Sequence, residues 1–163
     1  MRSGSRPIVE YVAVAAALLC VVFSVAPAFL KNLRASRLTE PMERLSFIAS
    51  RATAVAAGRP VEAAYPGAAP LTPSVVPKGE LMADPAGTWD HPTWRWLGFR
   101  FEAPHAYSYA FESTNGPDRS TFRATAHGDL DGDGNLSTFV ITGESQRGGA
   151  PRSDPLAMQR EVE

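Results

Sequence analysis

An apolar run near the N-terminus, PIVEYVAVAAALLCVVFSVAPAFL over residues 7–30, constrains this chain more than any other feature. From Tyr11 to Leu30 it holds no charged residue. As an α-helix this stretch would span roughly 30 Å, the hydrocarbon thickness of a bilayer. We therefore predict a transmembrane helix over 7–30. Two residues do not suit a plain anchor, Glu10 at the outer end of the run and Pro27 seventeen positions later.

The flanking residues predict the orientation of that helix. Residues 1–6 form a short basic, leader-like segment, and basic residues before an apolar helix stay in the cytoplasm. A cleaved secretory signal peptide is the alternative, because Ala26-Pro27-Ala28 loosely resembles a cleavage site. Against it, Glu10 would lie inside the apolar region of the signal. Cys20 is the only cysteine, so no disulfide within the chain is possible.

Residues 31–57 continue the helical pattern beyond the apolar run. Apolar residues recur there at helical spacing and charged residues occupy much of the remainder, which is typical of an amphipathic helix packed on a sheet. Pro41 must kink or restart this helix, and Thr39 before it with Glu43 after it favours a restart. Gly58 then ends the helix.

The remaining residues predict a globular head over 58–143 and a polar, frayed tail over 144–163. Prolines are frequent up to position 92, which favours an extended surface loop there. Further on, alternating or β-branched patterns predict strands at 107–111, 122–126 and 136–143. We therefore predict an α+β fold, in which a long N-terminal transmembrane and spine α-helix packs on a small antiparallel sheet.

Glu10, Pro27 and the residues that follow resemble the N-terminal region of the type IV pilin and pseudopilin family. That family has a short basic leader, a glutamate five residues into the mature chain, a long apolar helix and a segment like P-A-F-L-K-x-x-R-x-S-K. The residues that match this segment in place are Pro27, Ala28, Phe29, Leu30, Lys31, Arg34 and Ser36. Arg37 stands where lysine is common. The head is also similar to some bacterial pilin-like heads, through G-D-L-D-G-D-G before L-S-T-F.

The resemblance implies a structural subunit of a type IV pilus or a secretion pseudopilus, and no enzyme. In such filaments the glutamate neutralises the N-terminal amine of a neighbouring subunit, and an acidic group at the edge of an apolar helix does need a partner. A proline removes one backbone donor and kinks the helix. Glu10 and Pro27 are therefore the implied assembly residues. Processing would fall between Ser5 and Arg6, where the family prefers glycine and then phenylalanine.

The resemblance also implies partners and a location. The partners are other pilins, a prepilin peptidase and a pilus or secretion assembly platform. The location is the bacterial inner membrane, with one span and the head outside the cytoplasm, and then an extracellular pilus or a periplasmic pseudopilus. The alternative is a single-span membrane protein that does not polymerise and has an exported calcium- or ligand-binding head. The net charge of −1 does not indicate a nucleic-acid partner.

An acidic loop is the candidate metal site. Asp129, Asp131, Asp133 and Asn135 have the oxygen-ligand spacing of a calcium loop. Position 12 of such a loop, which normally holds a bidentate acid, is Val140 here. The alternative to a metal site is a tight Asp/Gly turn between two strands.

The other chemistry-bearing residues show no ligand or catalytic spacing. His91, His105 and His127 are scattered, which favours surface or loop positions. The aromatic residues of the head can form a patch that contacts a receptor or DNA, but filling of the core and subunit packing are the stronger prediction. They are Trp89, Trp94, Trp96, Tyr107 and Tyr109.

Overall fold

A computed structural model of the chain describes residues 11, 14–16, 20 and 38–160. The chain divides into two units, Met1–Ser36 and Arg37–Glu163. In the first unit the described residues are helical and exposed. The predicted assembly residues Glu10 and Pro27 and the predicted processing residues Ser5 and Arg6 lie outside the described part of the chain.

The second unit consists of an antiparallel sheet with one helix packed against it. Its helical elements are α1 (Thr39–Ala56), a 3₁₀ turn (Val61–Ala63) and α2 (Pro92–Leu97). Its strands are β1 (Ala69–Thr72), β2 (Tyr107–Thr114), β3 (Arg119–Gly128), β4 (Ser137–Gln146), β5 (Arg152–Ser153) and β6 (Ala157–Arg160).

The sheet is a meander in which neighbours in the chain are neighbours in space. Its strand order is β1-β2-β3-β4-β5, and β6 also pairs with β4. The pairs β2–β3 and β3–β4 are both antiparallel, and β3–β4 is in register from Arg119 opposite Gln146 to Gly128 opposite Ser137. The loop 129–136 therefore closes the β3–β4 hairpin.

Alternation along the strands and the periodicity of α1 build one core between helix and sheet. Residues of α1 at helical spacing are almost fully buried, namely Leu45, Ile48, Ala49, Ala52 and Ala56. Alternate residues of the three long strands are buried as well, namely Tyr107, Tyr109, Phe111, Phe122, Ala124, Ala126, Phe139 and Ile141. Burying one large aliphatic side chain such as Leu45 contributes about 2 kcal/mol. The alanines keep the helix close to the sheet.

The predicted fold class is wrong in its main element. The second unit is mostly antiparallel sheet with three short helical elements, and no long apolar spine helix is found among the described residues. The helix that packs on the sheet is α1, which has 18 residues and begins at Thr39. Because α1 buries one face and exposes Glu43, Arg44 and Arg51 on the rest, its sequence suits a boundary between sheet and water.

The predicted membrane placement is corrected as well. Among residues 11, 14–16, 20 and 38–160, no helix is both long and apolar enough to cross a membrane. This finding overturns the single-pass placement in the bacterial inner membrane that we inferred from the apolar run. Most of the predicted transmembrane helix over 7–30 lies outside the described residues.

Regular structure extends into segments where we expected none. The proline-rich stretch contains the 3₁₀ turn and β1, and the polar tail contains β5 and β6. Helix α2 starts where His91 Nδ1 accepts a hydrogen bond from the Thr93 N–H at 3.3 Å, with Pro92 as its first residue. It ends at Gly98, whose φ of 64° is left-handed.

Candidate functional sites

The acidic loop brings three carboxylates together at the end of the β3–β4 hairpin. Ligand oxygens of Asp129, Asp131 and Asp133 all lie within 4.8 Å of one another. Asp129 is buried, whereas Asp131 and Asp133 are exposed. The chain turns at Gly132 and Gly134, whose φ values of 77° and 91° favour glycine. This is the arrangement that the spacing of the sequence predicts for the first half of a calcium loop.

Backbone N–H groups of the loop already donate to these carboxylates. Asp129 Oδ1 accepts from Gly132 N–H at 2.8 Å and its Oδ2 accepts from Gly134 N–H at 3.1 Å. Asp133 accepts from both the backbone and the side-chain amide of Asn135, each at 2.7 Å. These two bonds from Asn135 are the main cause that lowers the pKa of Asp133. These hydrogen bonds form Asx-type turns that stabilise the loop.

The residues that would close a calcium loop are not available. Val140, at position 12, is a buried residue of β4. Glu144 is bound by Arg152 Nη2 at 2.5 Å and by Arg119 Nη2 at 2.6 Å. The hydrogen bond from Arg152 is the largest cause that lowers the pKa of Glu144. Any cation in the loop would therefore be held by its first half and by water.

A second polar site lies where the chain enters β2, and the sequence did not predict it. Asp84 Oδ2 lies 2.7 Å from His105 Nε2 and accepts a hydrogen bond from Trp89 Nε1–H at 2.6 Å. The exposed fractions of the His105 and Asp84 side chains are only 1% and 5%. His105 lies outside the named strands, as expected for a loop residue, but it is buried, so our expectation of a surface position is corrected. No local pattern relates His105 to a partner 21 residues away.

A carboxylate of α1 forms a third polar contact beside the second. Glu40 Oε2 accepts a hydrogen bond from the Ala106 N–H at 3.0 Å, and Glu40 Oε1 accepts one from the Tyr109 hydroxyl at 3.1 Å. Burial of the phenol, and next the charge of Glu40, raise the pKa of Tyr109 far above its ordinary range. The hydroxyl therefore stays protonated and donates to Glu40.

The remaining histidine contacts a neighbouring strand, and the aromatic residues pack in the core. His127, half-buried on β3, lies with its Nδ1 3.0 Å from Thr138 Oγ1. Trp94, Tyr107 and Tyr109 are fully buried and Trp89 nearly so. Rings of Trp89, Trp94 and Phe99 pack with centroids 5.3–5.6 Å apart, at the distances of ordinary aromatic pairs. These rings fill the core, as the sequence favoured.

Comparison with known proteins gave no match, since no protein-family model, no curated protein and no solved structure is significantly similar to the chain. The proposals that follow therefore rest on the sequence of the chain and on the geometry of its described residues.

Proposed function

We propose that this chain is a structural subunit of a type IV pilus or a secretion pseudopilus, and that it assembles with copies or relatives through its N-terminal segment. The main support is the ordered match of Glu10, Pro27 and the PAFLK sequence at 27–31 to the pilin N-terminus. Order, spacing and flanking charge agree over about the first 40 residues.

The second unit is compatible with this role. The matched segment ends at Arg37, and α1 begins two residues later at Thr39. In the sequence, the assembly segment is therefore followed at once by the residues of the helix that packs on the sheet. The proposal gives Glu10 the task of pairing with the N-terminal amine of the next subunit, because an acidic group among apolar side chains needs a partner.

Incorporation into filaments tests the assembly role. We would express the full chain with Glu10→Ala in the cells that produce it, shear and collect the filaments, and measure the chain in them by immunoblot. We expect the variant to accumulate in cells but to be nearly lost from filaments. Glu43→Ala is the matched control, because Glu43 is an exposed glutamate of α1. If Glu10→Ala enters filaments at the level of the control, the assembly role is wrong.

The N-terminal mass of the mature chain tests processing. A chain that begins at Arg6, or is methylated there, supports action of a prepilin peptidase between Ser5 and Arg6. An intact Met1 in a chain that never enters filaments contradicts the proposed function.

Calcium binding by the loop 129–135 is the second candidate, favoured by the convergence of Asp129, Asp131 and Asp133. Only the first half of a calcium loop is present, so we expect weak binding that relies on water for the missing ligands. A ligand that binds only the folded state must raise stability. An unchanged melting temperature in excess calcium, compared with a chelator and with magnesium, would exclude this candidate.

A further inference from the structure

The strands β5 and β6 together form one interrupted strand along β4. β5 pairs with Gly143 and Glu144, and β6 pairs with residues 138–140. Both pairings are antiparallel, and Pro155 lies between the two short strands. Residues 152–160, called the edge segment, therefore cover the border of β4 that lies opposite to β3.

Specific polar contacts fix the register of the edge segment on β4. Arg152 Nε donates a hydrogen bond to Glu144 Oε1 at 2.9 Å, and the Asp154 N–H donates one to the Thr142 carbonyl oxygen at 2.8 Å. The Thr142 hydroxyl donates in return to Asp154 Oδ2 at 2.6 Å. Because these contacts depend on the side chains of both strands, the border of β4 is a better acceptor for the edge segment than for an unrelated strand.

Little apolar surface holds the edge segment in place. Within residues 146–159 no residue is buried, and only Pro151 and Leu156 are partly buried. Leu156 packs against the hydrophobic core, whereas exposed residues such as Arg152 and Asp154 make the polar contacts. Segments with few buried apolar contacts open locally at a fraction of the free energy of global unfolding. The edge segment can therefore leave β4 while the rest of the sheet stays folded.

A hinge with two glycines joins β4 to the edge segment. Arg147 is fixed at its start, because its Nη2 donates to the Pro117 carbonyl oxygen at 2.7 Å. Gly148 and Gly149 follow, both exposed, and Gly148 has a φ of 78°. A glycine passes from this conformation to an extended one without the steric cost of a Cβ. Residues 148–151 can therefore straighten to about 13 Å and lead the edge segment away from its own β4.

We propose that copies of this chain exchange their edge segments, so that the edge segment of one copy pairs with β4 of a second copy in the register that it has on its own β4. The exchange replaces each contact of the edge segment by the same contact between chains, so its cost is confined to the hinge and to association. Within one chain the short hinge gives the edge segment a high effective concentration at its own β4. Exchange is therefore favoured where copies are concentrated, and it does not require assembly through the N-terminal segment.

A disulfide between two different copies tests the exchange. In a Cys20→Ser background, which removes the only cysteine of the chain, we would mix Thr142→Cys with isotope-labelled Asp154→Cys, each as the full chain at about 1 mM. The two side chains that are replaced are in contact within one chain. Mild oxidation should join position 142 of one chain to position 154 of another where an edge segment has crossed to a second copy. Mass spectrometry of the linked peptides measures this product.

Asp118→Cys in place of Asp154→Cys is the matched control. Asp118 is an exposed aspartate between β2 and β3, and it pairs with Arg147. Its linkage to position 142 therefore reports random encounters between chains. We expect the linkage of 142 to 154 to exceed that of 142 to 118 by at least about tenfold, because thiols held together by binding have a much higher effective concentration than free ones. Equal yields of the two products would overturn the proposal.

The hinge offers a second test that leaves the contacts of the edge segment unchanged. Gly148→Pro excludes the φ of 78° in the closed turn, since proline fixes φ near about −65°. Added to both chains of the mixture, it should raise the yield of the linkage of 142 to 154 several-fold. Gly149→Ala is the control, because a Cβ there lies at an ordinary 3.6 Å from the Gln146 carbonyl oxygen. If Gly148→Pro releases the edge segment without raising this yield, the edge segment has no affinity for a second copy and the proposal is wrong.

The wild-type chain keeps the proposal testable if a substitution prevents folding. In an equal mixture of carbon-13-labelled and unlabelled chains, a filtered NOE experiment detects contacts between copies alone. Val140 and Ala157 lie opposite each other across β4 and β6. At about 1 mM we expect NOEs between Ala157 of one copy and Val140 of the other. If these NOEs occur within each chain but not between chains, the exchange is refuted.

Discussion

The Tyr109 hydroxyl lies 3.1 Å from Glu40 Oε1, and this contact joins the first turn of α1 to the strand β2. The same carboxylate accepts from the Ala106 N–H through its other oxygen. One glutamate thus satisfies two donors on residues that are at most 1% exposed. Buried donors that lose their acceptor destabilise a fold more than the average hydrogen bond stabilises it.

Removal of the hydroxyl and removal of the carboxylate should lower the free energy of unfolding by different amounts. Tyr109→Phe deletes one hydroxyl, and we expect it to lower the free energy of unfolding by about 1 kcal/mol. Glu40→Ala leaves two donors unsatisfied and should lower it by about 2 kcal/mol. Urea denaturation measures both, with Glu43→Ala as the exposed control. Equal losses from Glu40→Ala and the control would show that the contact is not formed in solution.

Gly128 should not tolerate a side chain, because the ring of Tyr107 lies against it. A Cβ at this position would come within 2.6 Å of Tyr107 Cδ1. Gly128→Ala must displace a fully buried ring, and we expect a loss of about 1–3 kcal/mol in the free energy of unfolding. Gly67→Ala, where a Cβ meets nothing within 4 Å, should change it by less than about 0.5 kcal/mol. Similar effects of the two substitutions would contradict this packing.

His127 should make the fold less stable in acid. Burial, and next the charge of Arg123, lower the pKa of His127. The unfolded chain then binds a proton more readily than the folded one. Its contribution to stability is therefore unchanged well above about pH 6.5 and declines as the pH falls through that value.

The variant His127→Gln isolates this contribution. Denaturation of both chains across the pH range should show a constant difference in stability above about pH 7.5 and a shift in favour of the variant below about pH 6.5. A difference that stays constant into acid would mean that His127 is as easily protonated in the folded state as in water.

Two carboxylates of the loop 129–135 should contribute differently to stability, because one is buried and the other is exposed. Asp129 accepts two backbone N–H groups while buried, so Asp129→Ala should lower the melting temperature even with a chelator present. Asp131 is exposed, and Asp131→Asn should leave that temperature nearly unchanged without calcium. If calcium binds, the rise in melting temperature that it causes should shrink in Asp131→Asn. A large loss from Asp131→Asn with chelator would contradict this division.

Local periodicity was sufficient for the long strands and insufficient for the edges of the sheet. Alternation at 107–111, 122–126 and 136–143 predicted strands, and β2, β3 and β4 contain these residues except 136, which precedes β4. β1 and the pair β5 and β6 are two to four residues long and lie beside prolines. A segment that short has no measurable period, and only pairing with a neighbouring strand makes it extended.

The sites differ in predictability for a related reason. The acidic loop is contiguous, so its spacing alone brings its carboxylates together. Asp84 and His105 meet only because Met82 pairs with His105 in an isolated β-bridge, which brings residue 84 beside the imidazole. Glu40 and Tyr109 are 69 positions apart and meet only when α1 packs. The wrong prediction of a spine helix came from a strong local signal. Hydropathy gives the length of an apolar run, but it does not show which element packs on the sheet.

Both edges of the sheet are formed by short strands, and this limits how copies of the chain can associate. β4 is covered by β5 and β6, and Pro155 separates these two strands. The opposite edge is β1, four residues long, with Pro70 inside it. Neither border offers a long uninterrupted ladder of free N–H and C=O groups on which a foreign strand can add. Such a head can be held at very high local density without fusing into continuous cross-chain sheets.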